Sequence, residues 1–139
     1  MSSDKVDTIR SSSMGVVGRA ESHVRGQHLT LDSSARPQPD AFTNSEAFLA
    51  GISSCGVTLI EGHARETGIP IRGLDVTIEG VRAASDSTRF ASIAMTFEIR
   101  GVSQEQAESL VETYRGRRPL YRTVAAATAV KVEVRGTRG

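Results

Sequence analysis

The stretch Ser45-Glu46-Ala47-Phe48-Leu49-Ala50-Gly51-Ile52-Ser53-Ser54-Cys55-Gly56-Val57-Thr58-Leu59-Ile60 decides how the chain is read. Phe48, Ile52, Cys55 and Leu59 recur at steps of four, three and four, which sets them on one face of a helix. Such a face is normally buried against a sheet or another helix. Upstream, Thr43 or Asn44 can accept from exposed backbone N–H groups, and Glu46 falls in the favourable first turn. Downstream, Gly68 and Pro70 stop the helix near Thr67. Gly51, Ser53, Ser54 and Gly56 crowd around Cys55. Each interior glycine costs roughly 0.5–1 kcal/mol relative to alanine. Small residues there point to a second backbone crossing closely, from this chain or from a partner copy.

On the N-terminal side, residues 1–13 are polar and Ser-rich, a flexible segment or a weak first strand. From Met14 to Asp32, alternations such as His28-Leu29-Thr30-Leu31-Asp32 suit a small antiparallel hairpin punctuated by Gly15, Gly18 and Gly26. On the C-terminal side, Leu74, Val76 and Ile78 alternate with polar residues, as do Ile93, Met95, Phe97 and Ile99. Ser103 and Gln106 form a capping box that opens a second helix with Ala107, Leu110, Val111 and Tyr114 on one face, ending near Gly116. Val130, Val132 and Val134 make a last strand. One-sided alternation in the strands predicts an α+β fold of antiparallel sheets packed around a long central helix, as one domain over 14–139.

Cys55 is the only cysteine among 139 residues, so it forms no internal disulfide and no multi-cysteine zinc site. It is either a packed bystander or a reactive nucleophile. Free cysteine is among the most buried residue types, and the periodicity alone favours the bystander.

Composition excludes several classes. A formal charge of +1 gives no electrostatic case for nucleic acid or an anionic membrane. No Trp, two Tyr and four Phe leave no platform for stacking bases. No apolar run approaches the roughly 20 residues that span a bilayer. Met1-Ser2-Ser3-Asp4-Lys5 lacks the apolar core of a signal peptide, so the expected location is cytoplasmic. His23, His28 and His63 show no paired ligand spacing and read as structural or exposed, with no metal or cofactor expected. His63 lies eight residues after Cys55, about 12 Å of rise along one helix and too far to hydrogen-bond it.

Three segments in this order resemble the OsmC/Ohr family of osmotically induced and organic hydroperoxide resistance proteins. Asn44-Ser45-Glu46 through Ser53-Ser54-Cys55-Gly56 is similar to the family's Asn-Pro-x-Glu opening of a central helix that bears a reactive cysteine. Gly68-Ile69-Pro70-Ile71-Arg72-Gly73-Leu74 resembles its bridge into the next strand. Arg118-Pro119-Leu120-Tyr121-Arg122-Thr123 is similar to its Cys-Pro-(Val/Leu)-His-(Arg/Lys)-(Thr/Ser) motif, with Arg118 at the cysteine position and Tyr121 at the histidine position.

The resemblance implies an intertwined homodimer and a thiol peroxidase in which Cys55 is oxidised by an organic hydroperoxide. It assigns an N-terminal arginine, Arg19 in preference to Arg25, to lowering the thiol pKa, and a helix-start glutamate, Glu46, to holding that arginine. Arg118 and Arg122 are further candidates to polarise the site. The family's second, resolving cysteine has no counterpart, so an external thiol must regenerate Cys55. The alternative is a non-catalytic dimer that binds a small apolar or redox-active ligand at its interface.

Overall fold

A computed structural model describes residues 3–139. Met1 and Ser2, which belong to the N-terminal segment expected to be flexible, lie outside the described residues. Contacts divide the chain into two compact units, Met1–Phe48 and Leu49–Gly139.

In the first unit, strands β1 (Arg10–Ser13), β2 (Arg19–Val24), β3 (Gln27–Asp32) and β4 (Phe42–Thr43) form one sheet in that order. β2 and β3 make the anticipated hairpin, with Arg19 opposite Asp32 and His23 opposite His28. Its turn is the two residues Arg25 and Gly26, with φ of 50° and 79°. Two successive left-handed residues match the twist of a tight hairpin, and only Gly26 adopts that region without steric cost. β1, inside the polar N-terminal segment, pairs antiparallel with β2 and is exposed along its whole length.

Helix α1 (Asn44–Thr67) begins at the end of β4. The Thr43 hydroxyl accepts from the Glu46 N–H at 3.2 Å, and the Glu46 carboxylate accepts from the Thr43 N–H at 2.9 Å. This reciprocal capping box satisfies two otherwise orphaned donors.

The second unit holds the rest of α1, strands β5 (Gly73–Val81) and β6 (Ser92–Arg100), helices α2 (Gln104–Arg117) and α3 (Pro119–Ala125), and strand β7 (Ala129–Thr137). β5 and β6 pair antiparallel from Gly73–Arg100 to Val81–Ser92. β7 runs parallel to β6, with Ser92 opposite Ala129, so the sheet is mixed rather than wholly antiparallel. The connection decides this: α2 and α3 carry the chain back to the start of β6, which a short hairpin loop cannot do.

Ile93, Met95, Phe97 and Ile99 of β6 are buried, together with Ala107, Leu110, Val111 and Tyr114 of α2, the face read from their spacing. The box at Ser103 and Gln106 is present as anticipated. Helix α3 was not anticipated. Its Pro119 supplies a first-turn residue with no N–H to satisfy.

On α1 the buried stripe runs through Ile52, Gly56, Leu59, Ile60 and Ala64. Phe48 is 46% exposed and Cys55 only partly buried, so the expected Phe48–Ile52–Cys55–Leu59 face is rotated toward Gly56 and Ile60. The small residues of α1 receive side chains of the same unit. A Cβ on Gly56 would stand 3.1 Å from the Phe97 ring, and one on Gly51 would stand 3.3 Å from Leu120.

Close approach to another backbone is tightest at the far end of β7. A Cβ on Gly136 would lie 2.7 Å from the Ser103 carbonyl oxygen and 3.0 Å from the Gln104 Cα. Gly136 N–H also donates to the Gln104 side chain at 2.8 Å. Backbone cannot yield as a flexible side chain can. Gly136→Ala is therefore expected to destabilise the fold by about 1–3 kcal/mol in urea unfolding, although alanine suits a strand no worse than glycine. Unchanged stability would show that β7 and α2 separate freely.

Candidate active site

Cys55 sits in the middle of α1, partly buried and packed against the core of the second unit. Its carbonyl accepts from the Thr58 hydroxyl at 3.3 Å. The side chain across from this turn is Tyr114 of α2. Its hydroxyl donates to the Ile52 carbonyl at 2.9 Å, within a fully buried environment. Burial pushes the phenol pKa upward, and Cys55 and then Tyr121 add to the shift, so Tyr114 stays protonated and remains a donor.

Three aromatic rings extend from there. Phe97 and Tyr114 lie 5.6 Å apart between centroids, and Tyr114 and Tyr121 lie 5.3 Å apart, both tilted. Arg115 donates from Nε to the Tyr121 hydroxyl at 2.9 Å, with its guanidinium carbon 5.7 Å from the ring centroid. Tyr121, the residue at the family's histidine position, is thus held by an arginine.

Arg118, at the family's second-cysteine position, is the N-cap of α3. Its Nε is buried and, among the described residues, is the buried side-chain polar atom that has no hydrogen-bond partner. Arg118 lines a cavity of about 350 Å³ with Arg117, Thr58, Gly62, His63 and Glu66.

Arg19 and Glu46 both belong to the first unit, and the structure does not join them. Arg19 donates from Nε and Nη2 to the two Asp32 oxygens at 2.8 and 3.1 Å. It donates from Nη2 and Nη1 to the two Asp40 oxygens at 2.6 and 3.1 Å. Glu46, expected to hold this arginine, is instead engaged in the α1 cap. The reason is register: Asp32 stands directly opposite Arg19 in the hairpin, and a planar guanidinium accepts a carboxylate along each edge. One guanidinium between two carboxylates is locally net negative, which suits Arg19 to anchoring more than to serving as a free cation. The group borders a cavity of about 600 Å³ that Arg36 and Gln38 also line.

The same sheet face brings together Glu21, His23 and His28, whose ligand atoms lie within 4.8 Å of one another. His23 bonds His28 through the two Nδ1 atoms at 3.0 Å, and its Nε2 lies 3.0 Å from Glu21. Their chemistry suits a divalent ion of borderline softness. Spacing along one strand could not reveal them, because His28 is supplied by the neighbouring strand.

The sequence profile of the family described as OsmC-like protein matches residues 37–133. The chain belongs to the OsmC-like family. Solved structures with the same fold include an OsmC-like protein from Mycoplasma pneumoniae, at 20% identity and a TM-score of 0.85 over 97% of this chain and 99% of that one. An organic hydroperoxide resistance protein OsmC from Legionella pneumophila matches at 22% identity and a TM-score of 0.74, over 96% and 99%. An organic hydroperoxide resistance protein from Elizabethkingia anophelis matches at 14% and 0.75, over 98% and 99%. The comparison with curated proteins gave no match.

Within this OsmC-like chain, Arg19 holds the carboxyls of Asp32 and Asp40 below the usual carboxylate value near 3.8, chiefly through the hydrogen bonds it donates. A depressed folded-state pKa contributes stability that is present above the unfolded value and lost as pH falls through the folded one. The wild type should therefore lose stability steeply as pH drops below about 4, and Asp32→Asn should flatten that slope while lowering stability at pH 7. Urea midpoints measured from pH 7 to pH 2 test this. Parallel curves for the two proteins would exclude the Arg19 clamp as the source.

Proposed function

We propose that this OsmC-like protein is a thiol-dependent peroxidase that reduces organic hydroperoxides through the single nucleophile Cys55. The supporting observation is the placement of Cys55: a lone thiol, neither fully buried nor fully exposed, in the middle of the long helix of a fold shared with organic hydroperoxide resistance proteins. A packed structural cysteine gains nothing from partial access, whereas a peroxidatic one requires it.

In the reaction the Cys55 thiolate attacks the terminal oxygen of R–O–OH. The O–O bond breaks, Cys55 becomes a sulfenic acid, and the alkoxide leaves and is protonated to the alcohol. Sulfur loses two electrons and the peroxide gains them. No second cysteine exists, so an external thiol restores Cys55. Tyr114 orders the helix turn that carries the thiol, because its hydrogen bond fixes the Ile52 carbonyl. Glu46 and Arg19 support the reading at one remove, the first by starting α1 and the second by tying β2 to Asp32 and Asp40.

The working form is a homodimer in the cytoplasm. Leu29, Phe42, Phe48 and Leu120 are apolar and exposed on the single chain, which suits burial by a second copy. Among the described residues, no helix is long and apolar enough to cross a membrane. Sedimentation equilibrium at micromolar concentration should give twice the 14.8 kDa chain mass. A monomer would remove the dimer from the proposal.

Cumene hydroperoxide should convert Cys55 to a species that dimedone traps, adding one dimedone per chain by intact mass, with no adduct in Cys55→Ser. Hydrogen peroxide should react more slowly. A rate no faster than that of a free thiol would leave the non-catalytic, ligand-binding reading.

A further inference from the structure

The geometry points to a metal site on the first unit: Glu21, His23 and His28 together bind one divalent late transition-metal ion, zinc or a close relative, which staples β2 to β3. The inference stands apart from the peroxidase reading, because it draws on no residue of the second unit.

The first observation is convergence. Glu21 and His23 are two residues apart on β2 and so share one face of the sheet, and His28 stands opposite His23 on β3. Directly opposed residues of antiparallel strands hold their Cβ atoms about 4.5–5.5 Å apart. The two-residue turn at Arg25 and Gly26 fixes that register. One ligand atom from each of the three side chains therefore falls within 4.8 Å of the others. Among the described residues, no other three His, Cys, Asp or Glu side chains converge in this way.

The second observation is the imidazole pair itself. The rings meet edge to face, 77° apart with centroids 4.8 Å from each other, and the two Nδ1 atoms lie 3.0 Å apart. One of these nitrogens donates a proton and the other accepts it, so both are aimed at the space between them. Two nitrogens bound at about 2.0–2.1 Å to one tetrahedral ion are themselves about 3.3 Å apart. The pair is close to that spacing before an ion enters, and the ion takes the place of the shared proton. Glu21, whose carboxylate lies 3.0 Å from His23 Nε2, adds a third donor and a negative charge. Water completes the coordination on this open face. Two imidazoles and one carboxylate favour zinc, copper or nickel over magnesium and calcium, which take oxygen ligands.

The third observation concerns what holds the hairpin. Among the described residues of the first unit, the buried ones are Asp32 and Thr43, and both are polar. A hairpin with so little buried apolar surface is marginal in water, and small scaffolds of this kind gain stability from disulfides or metals. With one cysteine in the chain, an internal disulfide is not available. A cross-strand ion does the same work, because it ties β2 to β3 through side chains next to the turn.

One group opposes the ion. Arg10 stands opposite His23 on β1, so it shares the face that carries the three ligands, and its charge repels a bound cation. Arg19 lies further along the same face of β2, but Asp32 and Asp40 already neutralise it. The opposition from Arg10 gives the site a signature that adventitious binding elsewhere on the chain lacks: removing that charge strengthens binding.

The test is zinc titrated into the full chain at neutral pH, followed by calorimetry and by the imidazole NMR resonances. One ion should bind per chain, shifting His23 and His28 and leaving His63 in place. His28→Ala, at an exposed position, should weaken binding by at least about tenfold, Glu21→Gln should weaken it less, and Arg10→Gln should tighten it. Zinc affinity should be unchanged in Cys55→Ser. Cobalt in place of zinc should show ligand-field absorption without the near-ultraviolet charge-transfer band of a thiolate ligand. Amide exchange along β2 and β3 should slow when zinc is added to the wild type and stay as it was in His28→Ala. Zinc shifts centred on His63, one ion shared by two chains, binding lost in Cys55→Ser, or an affinity that neither His28→Ala nor Arg10→Gln alters would each overturn the site.

Discussion

The second unit depends on one polar contact inside an apolar core: the hydrogen bond from the Tyr114 hydroxyl to the Ile52 carbonyl. A carbonyl within a helix has a second lone pair available, and a buried phenol needs an acceptor, so each group meets a requirement of the other. The approach is open because Gly56 has no side chain to obstruct the Phe97 and Tyr114 rings. The stability α1 gives up at Gly56 is offset by aromatic packing that a larger residue would exclude. This contact joins α1 to α2, and Tyr121 of α3 sets a third ring, tilted, against Tyr114.

The departures from the family's third motif are consistent with one another. With tyrosine at the histidine position, Arg115 finds a hydroxyl to bond and a ring to cover. With arginine at the cysteine position, a guanidinium borders a cavity that Glu66 also lines, and its buried Nε has no hydrogen-bond partner among the described residues.

In the first unit, charge is distributed differently. Arg19 is pinned by two carboxylates in a geometry that uses both edges of its guanidinium, and such a group resists being drawn away to another partner. Arg19 and Glu46 were linked in the sequence reading because a family pattern links them. Here each has found a nearer and geometrically better partner: Asp32 across the hairpin for the arginine, and the Thr43 N–H three residues back for the glutamate.

What the sequence determined by itself was local: the span and start of α1, the capping box at Ser103, the alternation of β6 and the buried face of α2. All of these depend on residues within a turn or a strand of one another, so spacing carries them. The three family segments, in order along the chain, also made the fold legible. Tertiary structure alone decided the rest. The parallel pairing of β7, the rotation of the α1 face toward Gly56, the Asp32–Arg19–Asp40 clamp and the Glu21–His23–His28 cluster each join residues far apart in the chain or on different strands. The same is true of the Arg118 Nε, unpartnered among the described residues, because an atom's lack of a partner depends on everything that folds around it. Periodicity records which way a side chain points, and only packing decides what it meets.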